Sequence, residues 1–127
     1  MREVKQYIIV RTDLEMSPGK IGAQCAHASM KVFFDKFIKK DESTYEITLT
    51  DEEILWKDGL FTKITKRVKN EVELLKVYEK AKLAGLNVSL IKDMALTELK
   101  EPAYTAIAIG PNYIDKCEPV VKRLQNL

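Results

Sequence analysis

The hydrophobic pattern of the chain begins with a short apolar run and continues with a segment of helical spacing. The β-branched run at residues 7–10 is flanked by charges and predicts a strand buried on both faces. Ser17 can cap a helix and Pro18 suits its first position, so a long helix is predicted from there to about Lys39. The residues predicted for its buried face are Ile21, Cys25, Ala28 and Val32.

A second stripe on the same predicted helix is polar and lies one residue earlier. It consists of Lys20, Gln24, His27 and Lys31. The helix is also rich in small residues, which indicates that another element packs closely against it. These small residues are Gly22, Ala23, Ala26 and Ala28.

The remaining pattern predicts further strands and three more helices. Thr50 and Glu53 form a capping box that starts a short helix, and Gly59 ends it. Asn70 caps a longer helix that Gly85 ends, and a terminal helix is predicted from about residue 112 or 113 to residue 124, with a bend at Pro119. The predicted strands are residues 45–50, 60–68, 88–93 and 104–111. The residues predicted to face the core from the longer helix are Val72, Leu75, Tyr78 and Ala81 or Lys82.

The order of these elements predicts an α/β fold. Strands separated by helices form right-handed parallel crossovers. Only the strand at residues 104–111 follows its predecessor by a loop short enough for antiparallel pairing. We therefore expect a three-layer α/β/α sandwich with a mixed four-stranded sheet whose last strand is antiparallel, formed by residues 1–127 as a single domain.

Composition adds a location and an uneven charge. The N-terminus lacks the apolar core of a secretory signal and no stretch is apolar enough to span a bilayer, so we expect a cytoplasmic protein without membrane contact. Cys25 and Cys117 are then expected to be reduced thiols. Six of the 19 acidic residues lie in residues 41–53, which leaves 13 acidic against all 21 basic residues elsewhere. That basic remainder could attract polyanions, although lysines also decorate ordinary solvated helix faces.

Three common kinds of site are excluded or poorly supported by the residue spacing. A Walker A loop needs glycine five positions before its Gly-Lys pair and Ser or Thr after it, whereas this chain has Leu14 and Ile21 there. Cys25 and the single histidine, His27, diverge by about 200° on a helix and have no partners of zinc-site spacing, so no metal is expected. The same divergence argues against a nucleophile–histidine pair, and Cys25 is better explained as a small core residue.

One group of residues can meet across separate segments. Asp93 ends the third predicted strand of the sheet, and Thr97 lies in the loop that follows it. Ligand sites in open α/β sheets gather at the carboxyl ends of strands, where the helix carrying Lys20 and Gln24 also begins. A bound phosphate at that helix start and a plain turn-forming role for Asp93 are the two alternatives that these residues leave open.

At this point the chain resembles a known family. The stretch "VRTDLEMSPGKIGAQCAHA" resembles the signature of the archaeal and eukaryotic (type 2) peptidyl-tRNA hydrolases, with its Gly-Lys pair, its glutamine-cysteine and its histidine. The resemblance continues through "WKDGLFTKITKRVKNEVELLKVYEKAKLAGLNVSLIKD" and "YTAIAIGP", and it covers almost the whole chain.

The resemblance implies a reaction and a set of site residues. The reaction is hydrolysis of the ester between a peptide and the terminal ribose of tRNA, without metal or organic cofactor, commonly in a homodimer. The residues that match those usually implicated in catalysis are Lys20, Gln24, Asp93, Thr97 and Thr105. His27 matches the family histidine, for which we expect a supporting or tRNA-contact role. The basic residues expected to contact tRNA phosphates are Lys31, Lys36, Lys63, Lys66, Arg67 and Lys69.

The loop after Asp93 departs from the family pattern. The usual continuation is Ala-Gly-Arg-Thr-Gln-Ile, but here Leu96 replaces the arginine and Glu98 the glutamine, and Ala103 follows proline where glycine is usual. A carboxylate at Glu98 is expected to repel tRNA phosphates. The alternative function is therefore a catalytically weak relative that binds tRNA or a protein partner, and the acidic segment at residues 41–53 is consistent with a divergent subgroup.

Overall fold

The structure, a computed structural model, describes residues 2–127 and contains a mixed β-sheet with helices on both faces. In chain order the elements are β1 (Val4–Arg11), α1 (Pro18–Phe34), β2 (Ile38–Lys39), β3 (Tyr45–Glu46), α2 (Asp51–Asp58), β4 (Lys63–Val68), α3 (Glu71–Leu83), β5 (Val88–Asp93), β6 (Ala103–Tyr113), α4 (Ile114–Val121) and β7 (Gln125–Asn126).

The main sheet has the strand order β5-β6-β1-β4-β7. Strand β1 pairs in parallel with β4 and antiparallel with β6, and β6 pairs antiparallel with β5. Strands β1, β4 and β5 therefore point the same way, and their carboxyl ends lie along one edge of the sheet, called here the carboxyl edge. This arrangement confirms the three-layer mixed sandwich. The fifth strand, β7, was not expected; it consists of two residues near the C-terminus that pair with Lys66 and Arg67.

Two hydrophobic cores lie on opposite faces of the sheet because side chains alternate along each strand. In β1, Tyr7 and Ile9 face the core made with α3 and α4, whereas Ile8 and Val10 face the core made with α1. Strand β6 follows the same alternation. Its small residues Ala106 and Ala108 face α1, and they allow this helix to lie close to the sheet.

Helix α1 begins as predicted, but its buried face differs in part. Ala28 and Val32 are buried, Ile21 and Cys25 are half-buried, and Gln24 from the predicted polar stripe is buried with 1% of its surface exposed. The remaining small residues predicted to pack closely against a neighbour are exposed in this chain; they are Gly22, Ala23 and Ala26.

Helix α3 also buries a face next to the predicted one. Leu74, Val77 and Ala81 are buried, while Val72 is 62% exposed. Apolar side chains occur at adjacent positions on this helix, so the sequence is compatible with either stripe. Because α3 packs against both the sheet and α4, this packing determines which stripe is buried.

Several boundaries are shorter than the sequence indicated. Helix α1 ends at Phe34 rather than near Lys39, and the next residues form the two-residue strand β2. The strand predicted at residues 45–50 is reduced to β3, which pairs only with β2 in a small separate sheet. Helix α4 ends at Val121, with Pro119 inside it, because Lys122 is followed by the residues that lead into β7.

A buried carboxylate joins the C-terminal end of α1 to the N-terminal end of α2. The side chain of Glu53 is fully buried and forms an ion pair with Lys36, just beyond α1. Its oxygens also accept hydrogen bonds from the Thr50 backbone N–H at 2.8 Å, within the confirmed capping box, and from Asn87 Nδ2 at 3.1 Å. Glu53 therefore links three segments of the chain, and its charge is compensated inside the protein.

Both cysteines are free thiols, as expected. Cys117 is buried in the core between the sheet, α3 and α4, and Cys25 is half-buried against the other core. None of the helices within residues 2–127 has the length and hydrophobicity required to cross a membrane.

Replacing Lys36 by methionine should destabilise the protein. The substitution leaves the buried Glu53 carboxylate without its cation, which costs about 3 kcal/mol when one partner of a buried pair is removed. Urea unfolding followed by circular dichroism measures the change. Lys39→Met is the matched control, because the exposed Lys39–Glu42 pair, 3.9 Å apart, should contribute less than about 0.5 kcal/mol. Equal effects of the two substitutions would contradict the structural role of Glu53.

Candidate functional site

The first turn of α1 lies at the carboxyl edge of the sheet, beside the end of β5. Ser17 caps the helix, because its Oγ accepts a hydrogen bond from the Lys20 backbone N–H at 3.2 Å. This cap fixes the start of the helix, so the side chains of Lys20 and Gln24, one turn apart, both project toward Asp93.

Four of the predicted site residues form one connected group. Lys20 Nζ lies 2.8 Å from Asp93 Oδ1 and 2.6 Å from Thr97 Oγ1. Gln24 Nε2 donates to the same Asp93 oxygen at 3.2 Å. The side chains of Lys20 and Asp93 are only 10% and 12% exposed, so the pair is shielded from solvent but still reachable from one side.

Thr105, in the sheet, contacts this group through Gln24. It lies near the start of β6, between β1 and β5, and is fully buried. Its hydroxyl donates to Gln24 Oε1 in a short hydrogen bond. Because the amide oxygen of Gln24 is occupied in this way, its Nε2 group is turned toward Asp93. All five residues predicted for catalysis therefore form one continuous chain of hydrogen bonds, which runs from Thr105 through Gln24, Asp93 and Lys20 to Thr97.

The Asp93 carboxylate receives hydrogen bonds on both oxygens. The hydrogen bond from Lys20 is the main cause that lowers the pKa of Asp93, and the Ala95 backbone N–H, the Lys20 charge and Gln24 lower it further against the opposing effect of burial. Asp93 is consequently ionised at neutral pH. The bond from Ala95 N to Oδ2, 3.0 Å long, closes a turn, so Asp93 also has the turn-forming role that the sequence left open.

Ala95 adopts the left-handed backbone region, with φ of 65°. For a residue with a side chain this conformation costs roughly 1 kcal/mol, and it occurs where the family pattern has glycine. An aspartate that accepts a hydrogen bond from the backbone N–H two residues later is typical of such a turn, and this contact gives Asp93 a structural role beside its proposed catalytic one.

The carboxylate of Glu98, which was expected to repel tRNA phosphates, has a hydrogen-bonding partner within the chain. It binds the start of α1, accepting hydrogen bonds from the Ser17 backbone N–H at 3.0 Å and, more closely, from the Ser17 hydroxyl. These two bonds lower the pKa of Glu98, and the positive end of the helix dipole favours its charge. Glu98 thus ties the loop that carries Thr97 to α1. The partners are 81 positions apart in the sequence, which explains why no sequence pattern revealed the contact.

The residues predicted to support catalysis or to contact tRNA are dispersed over the molecule. His27 is exposed on α1, away from the Asp93 contacts. Lys31 forms an ion pair with Asp35 at 2.7 Å, and Lys36 is held by Glu53. These two lysines, at and just beyond the C-terminal end of α1, are therefore engaged by carboxylates of the same chain.

The four basic residues of β4 and its following loop also separate. Lys63 lies at the amino end of the strand, with Nζ 3.3 Å from the centre of the Phe61 ring, and burial lowers its pKa. Lys66 donates to the Leu124 carbonyl at 3.4 Å. Only Arg67 and Lys69 lie exposed near the carboxyl edge, and Arg67 Nη2 donates to Gln125 Oε1 at 2.6 Å.

The site contains no candidate metal centre. Nowhere in residues 2–127 do three or more His, Cys, Asp or Glu side chains gather as potential metal ligands. The chemistry available at the site is that of one carboxylate, one ammonium group, one amide and two hydroxyls.

Comparison with known proteins identifies close relatives of the chain. A family model described as peptidyl-tRNA hydrolase PTH2 matches residues 4–127. A protein of Staphylothermus marinus named peptidyl-tRNA hydrolase is 38% identical over 125 residues, covering 98% of this chain and 96% of the relative. One of Halobacterium salinarum with the same name is 41% identical over 108 residues, 85% and 86% of the two chains. A third, of Methanocaldococcus jannaschii, is 32% identical over 124 residues, 98% and 100% of the two chains.

The Lys20–Asp93 pair should make stability depend on pH in a defined direction. Because the folded-state pKa of Asp93 is lowered, its contribution is fully present above the unfolded value of about 3.9 and is lost as the pH falls through the folded value. Asp93→Asn should therefore lower the free energy of unfolding at pH 7, and the difference from the native chain should shrink below about pH 4. Urea unfolding at several pH values measures it.

The matched control is Asp58→Asn, which removes an exposed carboxylate paired only with its neighbour Lys57. This change should have little effect at any pH. A stability difference for Asp93→Asn that stayed constant down to pH 3 would show that its ionisation does not stabilise the fold.

Proposed function

Since the chain belongs to the PTH2 family of peptidyl-tRNA hydrolases, it is a hydrolase of peptidyl-tRNA, and we propose that the group around Asp93 performs this hydrolysis. The observation that carries the proposal is the placement of an ionised carboxylate and an ammonium group 2.8 Å apart, partly open to solvent, at the carboxyl edge of the sheet. A catalytically weak, purely binding relative is not favoured, because the similar proteins over nearly the whole chain are named hydrolases.

Ester hydrolysis requires an attacking water, a group that receives its proton and a donor for the oxyanion that develops. Asp93 is proposed to orient the water through its partly exposed carboxylate and to accept a proton as the water oxygen bonds to the ester carbon. Its lowered pKa makes it a weak base at rest, so orientation of the water is the larger part of its role.

Lys20 is proposed to stabilise the negative charge on the carbonyl oxygen in the tetrahedral intermediate. The intermediate collapses when the bond to the ribose 3′ oxygen breaks, and that oxygen takes up the proton that the water released. The products are tRNA with a free 3′ hydroxyl and a peptide carboxylic acid, which loses its remaining proton to solvent and becomes a carboxylate. Thr97 accepts a hydrogen bond from Lys20 and holds the ammonium group beside Asp93. No metal or organic cofactor enters this sequence of steps.

Gln24 and Thr105 are proposed to position Asp93 rather than to contact the ester. The amide of Gln24 is fixed by Thr105 at one end and bound to Asp93 at the other. His27, exposed on the same helix two turns from its start, is proposed to have a supporting role and not to contact the ester. The tRNA substrate and a cytoplasmic location, where translation produces it, are part of the same proposal.

A homodimer is proposed to form through the exposed face of α1. The small residues Gly22, Ala23 and Ala26 are exposed there, and the face continues into Met30 and Phe34, each 54% exposed. Beside them lies a groove of about 350 Å³ with aromatic walls that include Phe37 and Phe61. Small residues allow two helices to approach closely, and large exposed apolar patches are typical of association surfaces.

Asp93→Asn should abolish turnover with the fold retained at neutral pH. Loss of the ionised carboxylate should reduce kcat by about 10³-fold, the range expected when a proton-accepting group is removed. Release of the acyl group from an N-acetylated aminoacyl-tRNA measures the rate, and circular dichroism checks the fold. Asp58→Asn should keep the native rate. A rate for Asp93→Asn within twofold of native would reject the assignment, and tRNA binding by the native chain without release would favour the binding-only alternative.

The dimer proposal predicts that a charge at Phe34 produces monomers. Phe34→Glu would place a carboxylate in the apolar contact, which should raise the dissociation constant at least 100-fold by burying an unpaired charge. Sedimentation velocity measures the oligomeric state. Leu83→Glu, at a residue that is 88% exposed on α3, is the control and should remain dimeric. A native chain that is monomeric at high concentration would contradict the proposal.

A further inference from the structure

A second surface at the carboxyl edge has a strong positive charge. It is a groove of about 550 Å³ between α3 and the edge of the sheet formed by β4 and β7. We call it the basic groove because five basic residues line it: Arg67, Lys69, Lys76, Lys80 and Arg123. The lining contains one carboxylate, that of Glu73, which accepts a hydrogen bond from the Lys69 backbone N–H at 2.8 Å.

The cations of the groove are not neutralised by the chain itself. Among the side chains of residues 2–127, none of these five forms an ion pair, whereas Lys20, Lys31 and Lys36 are each bound to a carboxylate. The one side-chain hydrogen bond from Arg67 goes to the neutral oxygen of Gln125 and leaves its charge intact. Five like charges facing one groove repel each other, and a bound polyanion would relieve that repulsion and release counterions.

The groove reaches the same edge of the sheet as the proposed catalytic site, although α3 packs on one face of the sheet and α1 on the other. Thr12, which directly follows β1, lines its mouth and is bound to Val68 at the end of β4. In the sheet, β4 and β5 are separated by β1 and β6, so the end of β4 lies three strand spacings, about 15 Å, from the end of β5 at Asp93. Lys76 and Lys80 continue the line along α3, one turn apart.

Acidic side chains lie between the two sites along the carboxyl edge, and Arg11 partly neutralises their negative charge. Arg11 pairs with Asp13 at 2.8 Å and lies 3.5 Å from Glu71. The phosphate backbone of a tRNA is therefore not attracted to these acidic residues. It is attracted to the basic groove, which begins at Lys69 on the side away from Asp93.

We propose that the basic groove binds the phosphodiester backbone of the substrate tRNA while its 3′ end reaches Asp93. This inference rests on the proposed function and assigns the tRNA contact to one surface. Of the six cations that the sequence suggested, it retains Arg67 and Lys69, and it adds Lys76, Lys80 and Arg123. Contacts of lysine and arginine with phosphates give affinity without reading bases, so the groove would hold a tRNA independently of its sequence.

The test is the double variant Lys76→Ala/Lys80→Ala, compared with Lys39→Ala/Lys40→Ala. The control removes the same charge from exposed lysines in and beside β2, beyond the opposite end of α1. Two substrates are used: an N-acetylated aminoacyl-tRNA, and the same acyl group esterified to adenosine, which has no phosphate backbone. Binding of deacylated tRNA is measured by fluorescence anisotropy over a series of salt concentrations.

The groove variant should raise KM for the tRNA substrate about 10-fold and reduce the salt dependence of tRNA binding by nearly two charges. The adenosine ester should be cleaved at the native rate, and the control should match the native chain with both substrates. Arg123→Ala, in a different element, should act in the same direction with about half the change in salt dependence.

An unchanged KM and salt dependence in the groove variants would overturn the proposal, as would an equal effect of the control. A matching loss with the adenosine ester would place the defect at Asp93 and overturn it too. The outcome is separable from the proposed function: a native chain that binds tRNA through these lysines but cleaves neither substrate would retain the groove and reject the hydrolase mechanism.

Discussion

The largely buried ion pair between Lys20 and Asp93 is the interaction on which the arrangement of the proposed active site depends. It joins the first turn of α1 to the end of β5, two elements that are far apart in the sequence. An ion pair with little solvent access must be fully hydrogen-bonded to be tolerated. Gln24, Thr97 and the Ala95 backbone provide these bonds, and Thr105 fixes Gln24. Stability and chemistry at the site therefore have the same cause.

This dependence explains why part of the fold was predictable from sequence. Strand β5 has the predicted bounds, and the capping box at Thr50 and the cap at Ser17 formed as expected, because they depend on residues a few positions apart. The meeting of Lys20 with Asp93 followed from a general rule about where sites lie in α/β sheets. Residue roles came from resemblance to a family and not from spacing.

The features that sequence did not reveal depend on contacts between distant segments. Gln24 is buried because Thr105 and Asp93 satisfy its amide, and nothing next to it in the chain indicates these partners. Strand β7 is two residues long and exists only because β4 has an open edge. The contact of Glu98 with Ser17 at the start of α1 likewise forms only in the folded chain. The same is true of the ion pairs that occupy some lysines and leave others unpaired.

The burial of the two thiols has a consequence for chemistry elsewhere in the molecule. Burial raises the pKa of Cys117 to about 12, and it also raises that of Cys25 above its ordinary value. Neither residue therefore forms appreciable thiolate at neutral pH, and the thiolate is the form that oxidants and alkylating reagents attack. The proposed catalytic groups are a carboxylate and an ammonium group, so the proposed reaction does not depend on the oxidation state of either cysteine.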